Sequence, residues 1–358
     1  MSYPELICTI GPSCDNEQSL RELKKAGVDI FRVNMSHATL DDLYKYQELA
    51  KKLNIKLGLD TEGAQMRTNI YGVKENYLEI SKGDIFKINK ESSDIHKEKE
   101  GISLYPNNVS KKLEENLKIR FDFNGAIAII KNNYRDHLEC ICTNGGLIGN
   151  NKGVDILNHY LELPDFTEKD QKALEIANSI GIEEIFISFC KSTRAINLVR
   201  NSVRNAKVTS KIESKMSIHN LDDICSCSDA ILIDRGDLTR EINIMDIPFA
   251  QRGIIKIAKK YNTPCYVATN ILESLIKDKL PTRAELNDIV GTLEMGASGI
   301  VLAAETAIGH KPILCAEIVN ELIHRYKLYQ VGLLFADTER DEITDKEMRI
   351  WLNRNNNY

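Results

Sequence analysis

The stretch "ILIDRGDLTRE" (residues 231–241) runs three apolar residues straight into two aspartates, an arginine and a glycine. A short unbroken apolar run suits a parallel strand buried on both faces, and the charge that follows marks the strand's solvent end. The same rhythm recurs along the chain. Apolar runs at 6–10, 30–33 and 55–59 are followed, for the first two, by helical-period stretches at 17–26 and 40–53. The rhythm resumes with a capped helix start at Thr167, running to 180. Runs at 185–189, 208–213, 230–233, 264–268 and 299–302 then precede helical stretches at 193–203, 218–225, 249–260, 283–295 and 313–326. If the third strand takes the helix at Thr167, eight strand–helix units result. Eight in series predict an α/β fold, a (β/α)8 TIM barrel. A doubly wound sheet would want a Gly-x-Gly-x-x-Gly turn after a strand, and the sequence has none.

Residues 71–153 break the rhythm and alternate instead, at 77–80, 85–88, 126–130 and 137–141, between turn signals such as Asn144-Gly-Gly146. This pattern predicts a small antiparallel, barrel-like β domain inserted after the third strand, placed to act as a lid on the barrel mouth. The barrel is then 1–70 plus 154–330. A charged tail at 331–358, helical over 345–352, is read as an exposed helix or a contact in a homo-oligomer.

The 358 residues carry a net charge of −5 with no long basic run, which argues against nucleic acid as the partner. No apolar run reaches the roughly 20 residues of a membrane helix, and the first residues read as a strand rather than a signal segment. A cytoplasmic protein is expected. Nine scattered cysteines suit small buried hydrophobes in a reducing compartment.

A barrel carries its chemistry at the C-terminal ends of its strands. Polar residues converge there from nearly every strand: Thr9, Arg32, Asn34, Ser36, His37, Asp60, Thr61, Arg67, Lys211, Glu213, Asp234, Arg235, Asp237, Thr269, Asn270 and Glu305. Glu213 and Asp237 are read as ending neighbouring strands about 5 Å apart. Two carboxylates with other positions open suit Mg²⁺. Arg32 and Lys211 supply fixed positive charge for a phosphate or carboxylate, aided by N–H groups near Gly236 and Asp237.

These residues resemble the pyruvate kinase family. "CTIGPSCDNEQSLRELKKAGVDIFRVNMSH" is similar to that family's N-terminal segment and "LDTEGAQMRT" to its third-strand motif. "SKIES", "RGDLTREI", "ATNILESLI", "PTRAELND" and "AAETAIG" resemble later blocks in the family's order, and "GGLIGNNKGVDI" is the best match in the insert. The resemblance implies phosphoryl transfer from phosphoenolpyruvate to ADP, giving pyruvate and ATP. It implies Mg²⁺ on Glu213 and Asp237, with Lys211 stabilising the phosphoryl group and Arg32 holding the phosphate. Gly236, Asp237 and Thr269 would meet the substrate. Asn34, Ser36, Asp60 and Thr61 would form a K⁺ site, and Pro12, His37, Arg67 and Lys152 would serve the nucleotide.

The sequence departs from the family's pattern at several points. Asp234 stands where the family has alanine, adding an acid beside the metal. Asn270 replaces glutamine, and Ala303 and Ala304 replace a serine and glycine, the serine being implicated in proton delivery. Ile308 replaces a lysine, Gln65 bears on K⁺ dependence, and Asn124 stands where an aspartate is expected near the nucleotide's metal. The family's C-terminal regulatory domain has no counterpart in this sequence. Three readings follow: a truncated pyruvate kinase; a relative turned to another acceptor or to Mg²⁺-enolate aldolase or lyase chemistry; and a non-catalytic binding or regulatory homologue.

Overall fold

The computed structural model describes residues 3–90, 101–106, 109–122, 125–157, 159, 161–277 and 280–330. The tail at 331–358, with its helical stretch, and Asn124 lie outside the described residues. The chain divides into two compact units, Met1–Glu62 with Lys169–Tyr358, and Gly63–Glu168.

The first unit begins with β1 (Glu5–Ile10), β2 (Ile30–Asn34) and β3 (Lys56–Asp60). The inserted unit follows with β4 (Arg67–Tyr71), β5 (Tyr77–Ile80), β6 (Ile85–Asn89), β7 (Gly101–Tyr105), β8 (Lys118–Phe121), β9 (Ile127–Asn133), β10 (His137–Asn144), β11 (Gly146–Gly149) and β12 (Val154–Leu157). The chain then returns to β13 (Glu184–Ile187), β14 (Lys207–Ile212), β15 (Ala230–Asp234), β16 (Cys265–Ala268) and β17 (Gly299–Leu302).

The eight strands of the first unit close into a parallel barrel in the order β1-β17-β16-β15-β14-β13-β3-β2. All but the ends of these strands are buried, as their unbroken apolar runs require. Ile7, Ile30, Phe186, Ala230, Leu232, Tyr266, Ala268 and Val301 fill part of the interior. Gly58 makes room there, since a Cβ on it would lie 2.7 Å from the Phe186 ring. The outer helices carry the expected punctuation. Thr282 and Glu285 form a capping box on helix Arg283–Met295, which ends on Gly296 at φ 98°. Helix Ile247–Lys260 starts two residues earlier than its periodicity suggests because Pro248 fits a first turn. Among the described residues no helix is long and apolar enough to cross a membrane. Eight cysteines are buried, and burial pushes the Cys225 thiol up to about 12, the behaviour of a packing residue.

The inserted unit is wider than residues 71–153. β4 pairs with β7 and β12 with β8, so both flanking segments belong to its seven-stranded sheet, ordered β12-β8-β9-β10-β6-β7-β4. β4 alternates buried and half-buried side chains, the signature of a one-sided sheet rather than of a barrel strand. An isolated bridge between Arg67 and Gly153 joins the sheet's two ends and gives it a barrel-like form. The sheet is not wholly antiparallel, because β6 and β7 run parallel. Its core includes Ile88, Leu113, Ile119, Phe121, Ile130 and Leu138.

Two glycines test the packing. A Cβ on Gly299 would lie 2.2 Å from the Glu5 carbonyl oxygen, where β1 and β17 close the barrel, whereas one on Gly253, mid-helix and exposed, meets nothing within 4 Å among the described residues. Gly299→Ala is expected to cost about 1–3 kcal/mol, and Gly253→Ala to add about 0.5–1 kcal/mol. Urea midpoints of both variants check the two signs.

Candidate active site

β14 and β15 run side by side with Lys211 opposite Leu232 and Ile212 opposite Ile233. Glu213 follows β14 directly, and Asp234 is the last residue of β15. Asp237 does not end a strand, contrary to the reading above. It lies on the one-turn helix Arg235–Leu238, which begins because Asp234 Oδ1 accepts the N–H groups of Gly236 (3.2 Å) and Asp237 (3.4 Å). Glu213, Asp234 and Asp237 nevertheless converge, each offering an oxygen within 4.8 Å of the others.

Lys211 sits two residues before Glu213, on the same side of the strand, and only 4% of it is exposed. Its Nζ lies 2.9 Å from Glu213 Oε1 and 3.3 Å from Asp60 Oδ1, and donates to Ser188 Oγ at 2.9 Å. Burial alone would lower this ammonium's pKa, but Asp60, Glu213 and Asp234 outweigh it and hold Lys211 well above the usual lysine range. Asp60, fully buried at the end of β3, also faces Arg32, whose Nη1 lies 3.2 Å from Asp60 Oδ2. The Arg32 Nε and Nη2 donate to Thr9 Oγ1 at 3.2 and 2.8 Å, which fixes the guanidinium across β1 and β2. Asp60 is thus shared between the two cations.

Two buried atoms here make no hydrogen bond: Arg32 Nη1 and Glu213 Oε1. Each touches an opposite charge without hydrogen-bond alignment. The other Glu213 oxygen accepts the Phe189 N–H at 2.6 Å. Burial, opposed by Lys211 but reinforced by Asp237 and Asp234, pushes the Glu213 carboxyl up to about 8. Burial and Asp234 raise Asp237, which stays 34% exposed and meets Arg240 at 3.5 Å. A fully buried carboxylate oxygen without a hydrogen bond, inside a trio of hard oxygen donors that reaches solvent at Asp237, fits Mg²⁺. Its residues would be Glu213 and Asp237, with Asp234 beside them.

The N–H groups expected to receive a substrate anion are engaged. Those of Gly236 and Asp237 point at Asp234, and Gly236 also donates to Thr269 Oγ1 at 2.8 Å. Thr269 and Asn270, after β16, take φ of 69° and 54°, and Phe189, after β13, takes 50°. Left-handed backbone at a threonine is costly and needs support. Arg235 supplies it by donating to the Thr269 carbonyl at 2.6 Å and pairing with Asp288 at 2.7 Å. Glu305, 1% exposed, accepts the N–H groups of Ile271, Leu272 and Ala303 at 2.9–3.3 Å.

Of the four residues assigned to K⁺, three have side-chain oxygens with protein partners. Asn34 Oδ1 accepts the Ser36 N–H at 2.9 Å and Thr61 Oγ1 accepts that of Ser188 at 2.9 Å, while Asp60 serves the cations. On the barrel unit Pro12 and His37 are exposed. On the inserted unit Arg67 Nη1 donates to the Asn151 carbonyl at 3.3 Å, and Lys152 pairs with Asp122 at 3.6 Å. Ser188 was not singled out in the sequence. Its signal was a hydroxyl inside the apolar run 185–189, next to its end.

Because Glu213 and Asp237 bind protons more tightly folded than unfolded, the metal-free protein gains stability at low pH and loses it as pH rises from about 4.5 toward 8. With metal chelated, the melting temperature is expected to fall by on the order of 5 °C over that window, and Mg²⁺ at pH 8 to restore it. Glu213→Gln should flatten the slope. Thermal scans from pH 5 to 8 with chelator or Mg²⁺ decide it.

The family model "Pyruvate kinase, barrel domain" matches residues 2–316. A pyruvate kinase of Chlamydia muridarum is 32% identical over 332 residues, covering 89% of this chain and 68% of that protein. A pyruvate kinase of Thermotoga maritima is 27% identical over 332 residues, covering 90% and 70%, and one of Thermococcus litoralis is 27% identical over 342 residues, covering 93% and 71%. With the eight-stranded barrel and the insert after its third strand, these matches establish that the chain belongs to the pyruvate kinase family.

Proposed function

We propose that this chain transfers the phosphoryl group of phosphoenolpyruvate to ADP with Mg²⁺ and K⁺. The observation that carries this is the buried pair of cations, Lys211 and Arg32, flanking Asp60 beside the orphaned Glu213 oxygen. Phosphoryl transfer asks little covalent work of a protein. It asks for positive charge held in place around the group in flight. Lys211, kept protonated by its acids, supplies that charge where the phosphoryl oxygens pass, and Arg32 Nη1, paired with Asp60 but making no hydrogen bond, offers a donor to hold the phosphate. Mg²⁺ on Glu213 and Asp237 would neutralise charge on the substrate and on the enolate. Thr269, held rigid by Arg235, lies against the Gly236 backbone and positions the substrate's other end. K⁺ would take oxygens of Asn34, Ser36, Asp60 and Thr61.

Protonation of the enolate separates this reading from a second one. Ala303 carries no hydroxyl, and the Thr269 hydroxyl proton is committed to the Ala268 carbonyl at 2.6 Å. Water must then deliver the proton, or the Mg²⁺-enolate is used for other chemistry, such as an aldolase or lyase step. A lactate dehydrogenase-coupled assay with phosphoenolpyruvate, Mg²⁺, K⁺ and ADP tests the first reading. No nucleotide-dependent pyruvate, with metal-dependent exchange of pyruvate methyl protons intact, selects the second.

Lys211→Ala should lower phosphoryl transfer by about 10²–10³-fold or more while Mn²⁺ still binds. Removing one partner of a buried ion network also costs about 3–5 kcal/mol of stability, so turnover is compared well below the variant's melting temperature. Undiminished turnover would remove the lysine's assigned role.

A further inference from the structure

The acid at position 234 is outside the two-carboxylate metal set of the proposed function, and its surroundings argue for including it. Asp234 is 6% exposed and forms no ion pair within 4 Å among the described residues. A buried carboxylate that meets a cation, here Lys211, only at longer range is costly. Its hydrogen bonds do little to offset this, because both backbone N–H groups fall on one oxygen, Oδ1, at 3.2 and 3.4 Å, near the long limit. Helix capping alone would be served as well by a neutral asparagine or serine. The trio Glu213, Asp234 and Asp237 holds three acids, against which stand Lys211 on Glu213, itself shared with Asp60, and Arg240 at 3.5 Å from Asp237. With all three acids ionised the cluster carries an excess of negative charge in a largely dry place. A separate sign is Glu213 Oε1, fully buried and accepting no aligned hydrogen bond, whose one ion-pair contact, Lys211 Nζ at 2.9 Å, is shared with Asp60.

We propose that Asp234 is a third carboxylate ligand of the divalent cation, so that this chain binds the metal tightly before any substrate arrives. The inference rests on the metal site of the proposed function and extends it. It accounts for the departure from the family's alanine at this position. It also changes what the substrate meets, because the N–H groups of Gly236 and Asp237 are occupied by protein and offer a substrate carboxylate no free donors. Adding a charged ligand to an oxygen site raises affinity and removes one bound water.

The test uses Mn²⁺ alone with the full chain at pH 7.5, without phosphoenolpyruvate or nucleotide. Free Mn²⁺ is followed by electron paramagnetic resonance and bound water by proton relaxation. Asp234→Asn keeps the capping oxygen and removes the charge, while Asp234→Ala removes both. Both are expected to weaken Mn²⁺ binding by about tenfold or more and to leave Mn²⁺ with one more water than the native chain has. Glu213→Gln should weaken it further. Native affinity and hydration in Asp234→Asn, with binding lost in Glu213→Gln, would overturn the third-ligand proposal and leave the two-carboxylate site standing. Weakening in Asp234→Ala but not in Asp234→Asn would assign Asp234 to capping alone and likewise overturn the proposal. Native binding in all three variants would overturn the metal site itself. Circular dichroism and melting of each variant confirm that the comparison is between folded proteins.

Discussion

A lysine ammonium with almost no access to water sets the terms for the rest of the site. Burying Lys211 is unfavourable unless its charge is met, and Asp60 and Glu213 meet it within 3.3 and 2.9 Å. Asp60 is then claimed twice, by Lys211 and by Arg32. Glu213 is left with one oxygen in a hydrogen bond and one without. The network is therefore balanced for charge but incomplete in hydrogen bonding, and the two unfinished atoms are a cation's donor and an acid's acceptor. An interior that needed only stability would be better filled by apolar side chains of similar volume. The incompleteness points to ligands: an anion at Arg32 and a cation at Glu213.

The closed barrel makes this arrangement possible. Arg32 comes from β2, Asp60 from β3, Ser188 from the residue after β13, and Lys211 from β14, and these four strands are neighbours in the order β14-β13-β3-β2. Side chains thus meet from segments that are up to about 180 residues apart in the chain. Left-handed backbone at Phe189, Thr269 and Asn270 turns the chain sharply where strands end. Its cost is carried by buried polar contacts, the Phe189 N–H on Glu213, Arg235 on the Thr269 carbonyl and Glu305 on the two N–H groups that follow. The loops are thereby preorganised rather than free to rearrange around a ligand.

Much of this was legible in the sequence, for identifiable reasons. Parallel strands buried on both faces read as unbroken apolar runs, so the eight barrel strands stood out even with a large insert among them. The spacing of Lys211 and Glu213 put them on one side of a strand, and the 2.9 Å contact follows from that alternation. What the sequence could not convey was competition for hydrogen bonds. Nothing in "DRGD" said that Asp234 would cap the turn and take the N–H groups that seemed free for an anion. Nor did it say that Asp237 would sit on a helical turn past the strand's end, since a four-residue helix has no period to detect. The insert's boundaries were misplaced for a related reason. β4 and β12 are short, and their edge-on pairing with β7 and β8 is a long-range property that local alternation at 71–153 did not include.

Several departures from the family's pattern cluster on one side of the barrel. Arg32, Asp60, Lys211 and Glu213 keep the pattern on the arc β2-β3-β13-β14 or directly after it, although Gln65 after β3 departs. Asp234, Asn270, Ala303 and Ala304 depart at the ends of the adjoining arc β15-β16-β17, where Asp237, Thr269 and Glu305 keep it. Under the proposed phosphoryl transfer the first arc would neutralise charge on the moving group, and the second would handle the enolate and the substrate's carboxylate. The acid trio straddles the join, with Glu213 on one arc and Asp234 and Asp237 on the other. A metal there belongs to both halves of the chemistry. With Asp234 as the proposed third ligand, the substrate would be held more through the cation and less through the backbone N–H groups of Gly236 and Asp237, which Asp234 and Thr269 already occupy.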